Sequence, residues 1–497
     1  MDISQAIDDR RDPSRSQTAA AALILGLLAG VAALSAGGTA GILAVVGGGL
    51  ALGLLLLAVV VTRGRLTDLL LLAAIALMAL PLDKYLMFRD HVGGWPGLRL
   101  SAADLALVAL GPSAILSLWA GRTRNVIPRP VIILYGLLLA QYVASALGAA
   151  DRGLAGFELA SAVHALLTAL VVGAIFKRRL LRPAMLLLAL LVVAHTGIAV
   201  AQTVTGRPIG AEWFGSSGLV QETLETGVVR IRPSGLFDHP IVYADVLLLT
   251  LPMFFAALFI PGGRVWRASM TIAMLVAMLG LALSLSRGAW ISTGVAGAVL
   301  FGLAWRYQLL PRRRLLRVGG RALLAGLVLG LFLARPVVER LTASNEGNLG
   351  VRFELNWIAV SMIQAHPFAG VGLSNFIPVM DRYDPTNVMR RFPATVHNLY
   401  LLEAAEAGLP AAILFMAMFA AVLWTAFRRL PAIADPAAKW MAAAILAALV
   451  GFLVTQLADF SHRLEPLRSI LWMNIGLLFA LCARPTSGAP GEGPARG

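Results

Sequence analysis

Long apolar segments, separated by short polar ones, dominate this chain. Most of them are near twenty residues, the length that an α-helix needs to cross roughly 30 Å of hydrocarbon at about 1.5 Å per residue. The segments do not show the period-two alternation of a transmembrane strand. The pattern predicts fourteen spans, at about residues 18–36, 39–62, 66–82, 101–120, 130–150, 155–176, 183–204, 240–260, 268–285, 289–308, 318–334, 398–427, 438–459 and 467–483.

The composition agrees with this reading. Hydrophobic residues make up 59% of the chain and charged residues 13%, which is too apolar for an ordinary soluble domain. The first span follows three arginines but is long and is soon followed by another, so we interpret it as a membrane anchor and not as a cleaved signal peptide. The predicted fold class is an all-α polytopic integral membrane protein with about 12–14 transmembrane helices.

The distribution of charge predicts the orientation. With both termini cytoplasmic, the inner segments hold 25 Lys and Arg against 7 Asp and Glu, while the outer segments hold 16 against 19. This is the asymmetry of the positive-inside rule. The net charge of +15 therefore reflects membrane orientation and contact with the lipid bilayer, and it gives no reason to expect nucleic acid as a partner.

Two long segments then face outward, residues 206–240 and 335–397. Loops of this length in a compact protein are usually functional. In the second, Leu355, Ile358 and Met362 recur at helical spacing. They predict a short amphipathic helix that lies on the membrane surface and covers a site beneath it.

Three arginines near the outer membrane boundary are candidates for a phosphate site. Arg232, Arg287 and Arg352 each lie close to a glycine or proline that shapes the backbone. Arginine binds phosphate or carboxylate in a bidentate manner and stays charged when partly desolvated. The alternative is that these side chains extend to lipid headgroups, as interfacial arginines often do.

His397 is the strongest candidate in the outer loops for an acid or base at neutral pH. Asn398 can cap the next helix or orient the imidazole ring. Glu403 and Glu406 lie on one helix face, where they can hold an arginine, polarise His397, or be solvated at a bend near 408–410. A structural histidine that binds loop backbone remains the alternative for His397.

The order of four motifs resembles the O-antigen ligase and O-antigen polymerase family of bacterial envelope glycosyltransferases. The motifs are "RPSGLFDHP", "SRGAW", "RFELNWIAVSMIQAHPFAGVGLSNF" and "HNLYLLEAAEAGLPAAILF", and the resemblance covers about residues 225–425. No single motif is specific, but their order, spacing and common outward face are. One departure is "FDHP", where the family more usually has an asparagine, so the role of His239 stays open.

The resemblance implies a metal-independent, cofactor-free enzyme of the bacterial inner membrane whose active site faces the periplasm. It would move a glycan from an undecaprenyl-diphosphate-linked oligosaccharide to a hydroxyl of an acceptor glycan or of lipid A core. A chain-length regulator is a possible partner. On this reading Arg232 and Arg352 bind the diphosphate, Arg287 binds or braces it, and His397 takes the acceptor proton with inversion at the anomeric carbon. Asn398, Glu403 and Glu406 would support them.

Other functions stay open. Between the two family activities, a polymerase of O-antigen or exopolysaccharide repeats is slightly favoured over a ligase. A metal-dependent transferase would use a carboxylate such as Asp83 or Asp90 in the first large outer loop. A lipid-linked oligosaccharide flippase or transporter predicts internal repeats and charges in mid-span. A non-catalytic scaffold is the last alternative.

The expected organisation has five parts. They are a cytoplasmic tail at 1–17, amino-terminal helices at 18–224, a catalytic region at 225–427 that includes the periplasmic loop 335–397, carboxy-terminal helices at 428–483, and a disordered cytoplasmic tail at 484–497.

Overall fold

The computed structural model describes most of the chain. The described residues are 66–89, 91, 96–119, 127–210, 221–223, 229–332, 346–391 and 393–483. The predicted spans at 18–36 and 39–62, and the tails at 1–17 and 484–497, lie outside them.

Each predicted span within the described residues coincides with a helix, which confirms a polytopic all-α membrane protein. Eight described helices are long and apolar enough to cross a membrane, and three shorter ones are apolar. The helices are α1 Leu66–Leu77, α2 Ala102–Trp119, α3 Arg129–Leu147, α4 Arg152–Ile175, α5 Leu181–Thr205, α6 Pro240–Ala257, α7 Arg264–Leu283, α8 Arg287–Arg306, α9 Arg312–Phe332, α10 Glu346–Ala365, α11 Phe376–Val379, α12 Val388–Arg391, α13 Leu399–Arg429, α14 Pro436–Thr455 and α15 Leu467–Cys482.

Two small antiparallel hairpins lie in the predicted outer segments. The first pairs β1 (Asp83–Phe88) with β2 (Gly97–Ser101), and the second pairs β3 (Gln221–Thr223) with β4 (Val229–Ile231). Arg232 directly follows β4, so the second hairpin sets the position of its backbone.

The helices pack closely where glycine lets two backbones approach. A Cβ on Gly451 of α14 would lie 2.6 Å from the carbonyl oxygen of Ser292 on α8. A Cβ on Gly476 of α15 would lie 2.6 Å from the carbonyl oxygen of Ala169 on α4. Small residues at such crossings are typical of helix packing in membranes, where close van der Waals contact drives association.

Contacts between loops agree with the side of the membrane predicted for each loop. At the predicted outer end, Arg89 Nη1 lies 2.5 Å from Asp151 Oδ2 and Asn398 Nδ2 donates to the Leu457 carbonyl over 3.1 Å. At the predicted inner end, Arg179 pairs with Asp68. These contacts join segments that the charge distribution assigns to the same side.

Helix α13 is broken at Gly408, where φ is 85° and ψ is 164°. The rings of Tyr400 and Phe415 are 6.4 Å apart between centroids. A continuous helix would hold these residues about 22 Å apart along its axis. The segment 399–407 is therefore folded back against 409–429, which confirms the bend expected near 408–410.

The outer loop forms backbone hydrogen bonds to the residues on both sides of the break in α13. Val371 N donates to the Ala405 carbonyl over 2.9 Å, and Leu409 N donates to the Pro367 carbonyl over 2.8 Å. At Gly408 a Cβ would collide with the Phe368 carbonyl oxygen. The motifs "AHPFAGVG" and "LLEAAEAGLP" thus form one structural unit, which sets the position of everything just before α13.

Candidate functional site

Arg352 and His397 come together at the predicted outer end. Arg352 lies in α10, and its Nη1 donates to the Ala458 carbonyl over 3.2 Å. His397 lies two residues before α13, with its ring 5.4 Å from that of Phe460. Its Nδ1 is buried without a hydrogen-bond partner among the described residues. Burial and the nearby Arg352 lower the pKa of His397 to about 4, so the imidazole is neutral at pH 7.

Arg232 belongs to the same cluster. Its Nε and Nη2 donate to the Ser284 carbonyl over 3.4 and 3.2 Å. Burial, the charge of Arg232 and the nearby His397 together lower the pKa of His239 to about 4. His239 is therefore within electrostatic range of both. Its Nδ1 accepts from Ile241 N over 3.2 Å and caps α6, which gives this histidine a structural role.

Asp459 is a site residue that the sequence reasoning missed. Its side chain is buried, and burial raises its pKa to about 6 although Arg352 and Arg232 oppose the shift. Its carbonyl oxygen accepts from Leu399 N over 2.9 Å, which ties it to the start of α13. The motif "ADFSHR" offered a signal, because an aspartate, a histidine and an arginine follow an apolar span at its outer end.

Arg287 lies on the turn that anchors Arg232. It opens α8 three residues after Ser284, and Ser286 caps the helix by accepting from Ala289 N over 3.4 Å. Leu285, between the two serines, has a positive φ of 54°. The turn between α7 and α8 is therefore short, and Arg287 follows three residues after Ser284, whose carbonyl holds Arg232.

Asn398 has the capping role expected from the sequence. Its Oδ1 accepts from Leu401 N over 3.1 Å at the start of α13. Its Nδ2 binds the Leu457 carbonyl, one residue before the carbonyl that holds Arg352. Asn398 therefore joins the histidine segment to the loop that carries Asp459.

Of the three expectations for Glu403 and Glu406, the structure shows that they hold an arginine. Glu403 Oε1 lies 2.8 Å from Arg463 Nη2, and Glu406 Oε2 lies 3.4 Å from it. Tyr142 donates to Glu403 Oε2 over 2.7 Å. Neither glutamate is solvated, since both are fully buried. Glu406 also accepts from Ser374 N over 3.0 Å and from Phe376 N over 3.1 Å.

These glutamates belong to a larger buried ionic cluster. Glu158 Oε1 lies 3.0 Å from Arg463 Nη1 and 2.5 Å from Arg468 Nη2. Arg468 Nε also donates to the His462 carbonyl over 3.0 Å. The cluster fixes residues 459–468 against α4 and α13, and so it sets the position of Asp459.

The helix predicted at 353–364 exists, but its apolar residues pack against the protein and do not face the membrane surface. Leu355, Ile358 and Met362 are buried within the protein, where α10 packs against α13. Phe353 and Trp357 are large apolar residues exposed on the opposite face. The apolar face is buried because the outer loop covers α13, and the membrane is not needed to shield it.

Of the two candidate carboxylates for a metal, Asp83 is among the described residues. Asp83 forms an ion pair with Arg99, with 2.6 Å between Oδ2 and Nε, and Asp90 lies outside the described residues. No group of three metal-ligating side chains is found among the residues that the structure describes.

Residues 272–416 match the family model described as O-antigen ligase. This segment is an O-antigen ligase family domain. It contains Arg287, Arg352 and His397, and it ends close after the break in α13. No curated protein matches the chain. The domain implies a membrane enzyme of the O-antigen ligase and polymerase type that transfers glycans from lipid-linked substrates.

Proposed function

We propose that this protein moves a glycan from an undecaprenyl-diphosphate carrier to an acceptor sugar hydroxyl at the periplasmic face of the bacterial inner membrane, as a polymerase of O-antigen or exopolysaccharide repeats. One observation carries the proposal. Within an O-antigen ligase domain, a neutral histidine lies beside Arg352 and near Arg232, and its buried Nδ1 has no hydrogen-bond partner among the described residues.

The residues fit a single displacement. The acceptor oxygen bonds to the anomeric carbon as the bond from that carbon to the diphosphate oxygen breaks, and the electron pair leaves with the diphosphate. His397 takes the acceptor proton, for which a neutral imidazole is required. A single in-line attack without a covalent intermediate inverts the anomeric carbon.

Arg352 and Arg232 would stabilise the negative charge that develops on the diphosphate. Each guanidinium already donates to a backbone carbonyl at the site, so it is held in place before the reaction. Preorganised donors of this kind contribute on the order of 10² to 10³ in rate each. Arg287 would bind or brace the diphosphate. These cations supply the charge that a metal ion supplies in other lipid-phosphate transferases.

The experiment is transfer by the purified protein in nanodiscs. A lipid-linked repeat unit is offered as the sole substrate, and the products are resolved on a gel. A ladder of lengthened glycans supports the polymerase. If no ladder forms but one glycan is transferred after lipid A core is added, the protein is a ligase. The proposed donor site is the same in that case.

A chelator arm tests metal independence. Activity that survives chelation agrees with arginines as the source of positive charge, and loss of activity favours the metal-dependent alternative. If no glycan is transferred to either acceptor and the lipid carrier is moved across the bilayer, the protein is a flippase and the proposal is wrong.

A further inference from the structure

An apolar groove opens directly beside the candidate site. It has a volume of about 470 Å³ and lies between the two halves of α13 and the outer end of α14. The break at Gly408 creates it, because the segment 399–407 folds back and leaves a space that a continuous helix would not have. Asn398, Tyr400, Phe415, Ala420, Leu453 and Leu457 are among the residues that line it.

The mouth of the groove is the candidate site itself. Asn398 and Leu457 both line the groove, and Asn398 Nδ2 donates to the Leu457 carbonyl. The next residue, Ala458, accepts from Arg352. Asn398 also follows His397 directly in the chain. A molecule in the groove would thus have one end at the cationic cluster.

The body of the groove suits a hydrocarbon chain. Apart from Asn398 and the hydroxyl of Tyr400, its walls are apolar, and that hydroxyl is engaged by donation to the Leu453 carbonyl over 2.8 Å. Met416 and Leu457 are 47% and 58% exposed, so the groove is open on the side that faces lipid. From Phe415 to Leu423 its wall follows α13 for about 12 Å into the membrane.

We propose that this groove holds the first isoprene units of the donor's polyprenyl chain, with the diphosphate at its mouth against Arg352. The inference rests on the proposed function and adds where the lipid enters and how it is recognised. The cationic mouth distinguishes this occupant from a bulk phospholipid, because two arginines match a diphosphate carrying more negative charge than a zwitterionic headgroup. The groove aligns the carrier so that its anomeric carbon lies near His397.

The test measures binding of undecaprenyl diphosphate, which carries the headgroup and chain but no sugar, so that it does not depend on the glycan. Dimethylallyl diphosphate, with the same headgroup and one isoprene unit, serves as the short probe. Ala420→Trp fills the groove. Ile413→Trp adds the same side chain to a lipid-exposed position on the same helix outside the groove. Arg352→Ala removes the cation at the mouth.

The expected result is chain-dependent. Ala420→Trp weakens binding of undecaprenyl diphosphate about tenfold and leaves dimethylallyl diphosphate unchanged, Ile413→Trp changes neither, and Arg352→Ala weakens both. The groove assignment is overturned if Ala420→Trp leaves the long lipid unaffected, or if it weakens both lipids equally. If the wild-type protein binds neither diphosphate, the proposed function fails together with the groove. If the wild-type protein binds both diphosphates and Ala420→Trp has no effect on either, the groove assignment fails and the proposed function is unaffected.

Discussion

Arg463 Nε donates to Glu403 Oε1 over 2.9 Å, and Nη2 of the same arginine lies 2.8 Å from that oxygen. Both side chains are fully buried. The pair joins the short loop after α14 to the first half of α13. Asp459 lies on that loop and His397 lies just before α13, so an ion pair outside the candidate site sets the distance between two parts of it.

Replacing Arg463 by leucine is expected to destabilise the protein by about 3 to 5 kcal/mol, because it leaves buried carboxylates without their partner. Glu403 and Glu406 would lose the ion pair with Arg463, and Glu158 would lose one of its two ion pairs with arginine. Equilibrium unfolding by SDS in mixed micelles measures the change. The control is Arg390→Leu at an exposed position, which should stay within about 0.5 kcal/mol of wild type. Equal effects of the two substitutions would contradict a structural role for the cluster.

Gly408→Ala should disrupt the unit that the outer loop forms with α13. The backbone at Gly408 has a positive φ, and a Cβ there would collide with the Phe368 carbonyl oxygen. We expect a loss of several kcal/mol or failure to fold. Gly156→Ala in α4 is the matched control, since a Cβ there meets no atom within 4 Å. It should be neutral or slightly stabilising, and a neutral Gly408→Ala would argue against the locked bend.

Much of the helical fold follows from the sequence, because crossing a bilayer requires about twenty apolar residues and leaves a clear hydropathy signal. The hydropathy signal does not show whether the chain continues straight or turns back within one apolar segment. Residues 398–427 were therefore expected to form one span, and only Gly408 and Pro410 indicated a bend. The fold of α13 at Gly408 depends on hydrogen bonds with residues 367–371, which are remote in the chain.

The site was partly predictable for a similar reason. Arg232, Arg287, Arg352 and His397 are polar residues in outward loops, where they are conspicuous. Asp459 and Arg463 follow closely after an apolar span and look like an ordinary loop in the sequence. Their importance comes from burial between helices, and no local pattern encodes which helix covers which loop. The apolar face of α10 was assigned to the membrane because hydrophobicity alone does not distinguish lipid from protein.

Arg352→Ala should lower kcat for glycan transfer by about 10² to 10³, since it removes a donor aimed at the leaving diphosphate. Arg352→Lys should recover only part of the loss, because lysine keeps the charge but lacks the planar fork. Steady-state transfer with a lipid-linked donor measures both. Arg382→Ala, at an exposed position of the same outer loop, should leave kcat unchanged. Full activity of Arg352→Lys would mean that charge alone suffices.

Asp459→Asn should raise the stability of the protein at pH 7. Burial raises the pKa of Asp459 to about 6, so its ionisation costs stability above that pH, and the cost disappears as the pH falls through 6 toward the ordinary value of 3.8. At pH 7 the variant should gain about 1 to 3 kcal/mol. At pH 4 the two proteins should be nearly equal in stability. A variant that is less stable at both values would show that Asp459 is structural.

His397→Ala tests the central claim most directly, with His366→Ala as its control. Both histidines lie in the outer loop region, but His366 is exposed and hydrogen-bonds to the Tyr383 hydroxyl. The measurement is single-turnover transfer from a lipid-linked glycan. We predict that His397→Ala binds undecaprenyl diphosphate as wild type does but loses transfer by about 10² to 10⁴, and that His366→Ala retains both. Wild-type transfer should fall only as the pH drops through about 4, where His397 becomes protonated. Near wild-type transfer by His397→Ala would contradict its role as the base.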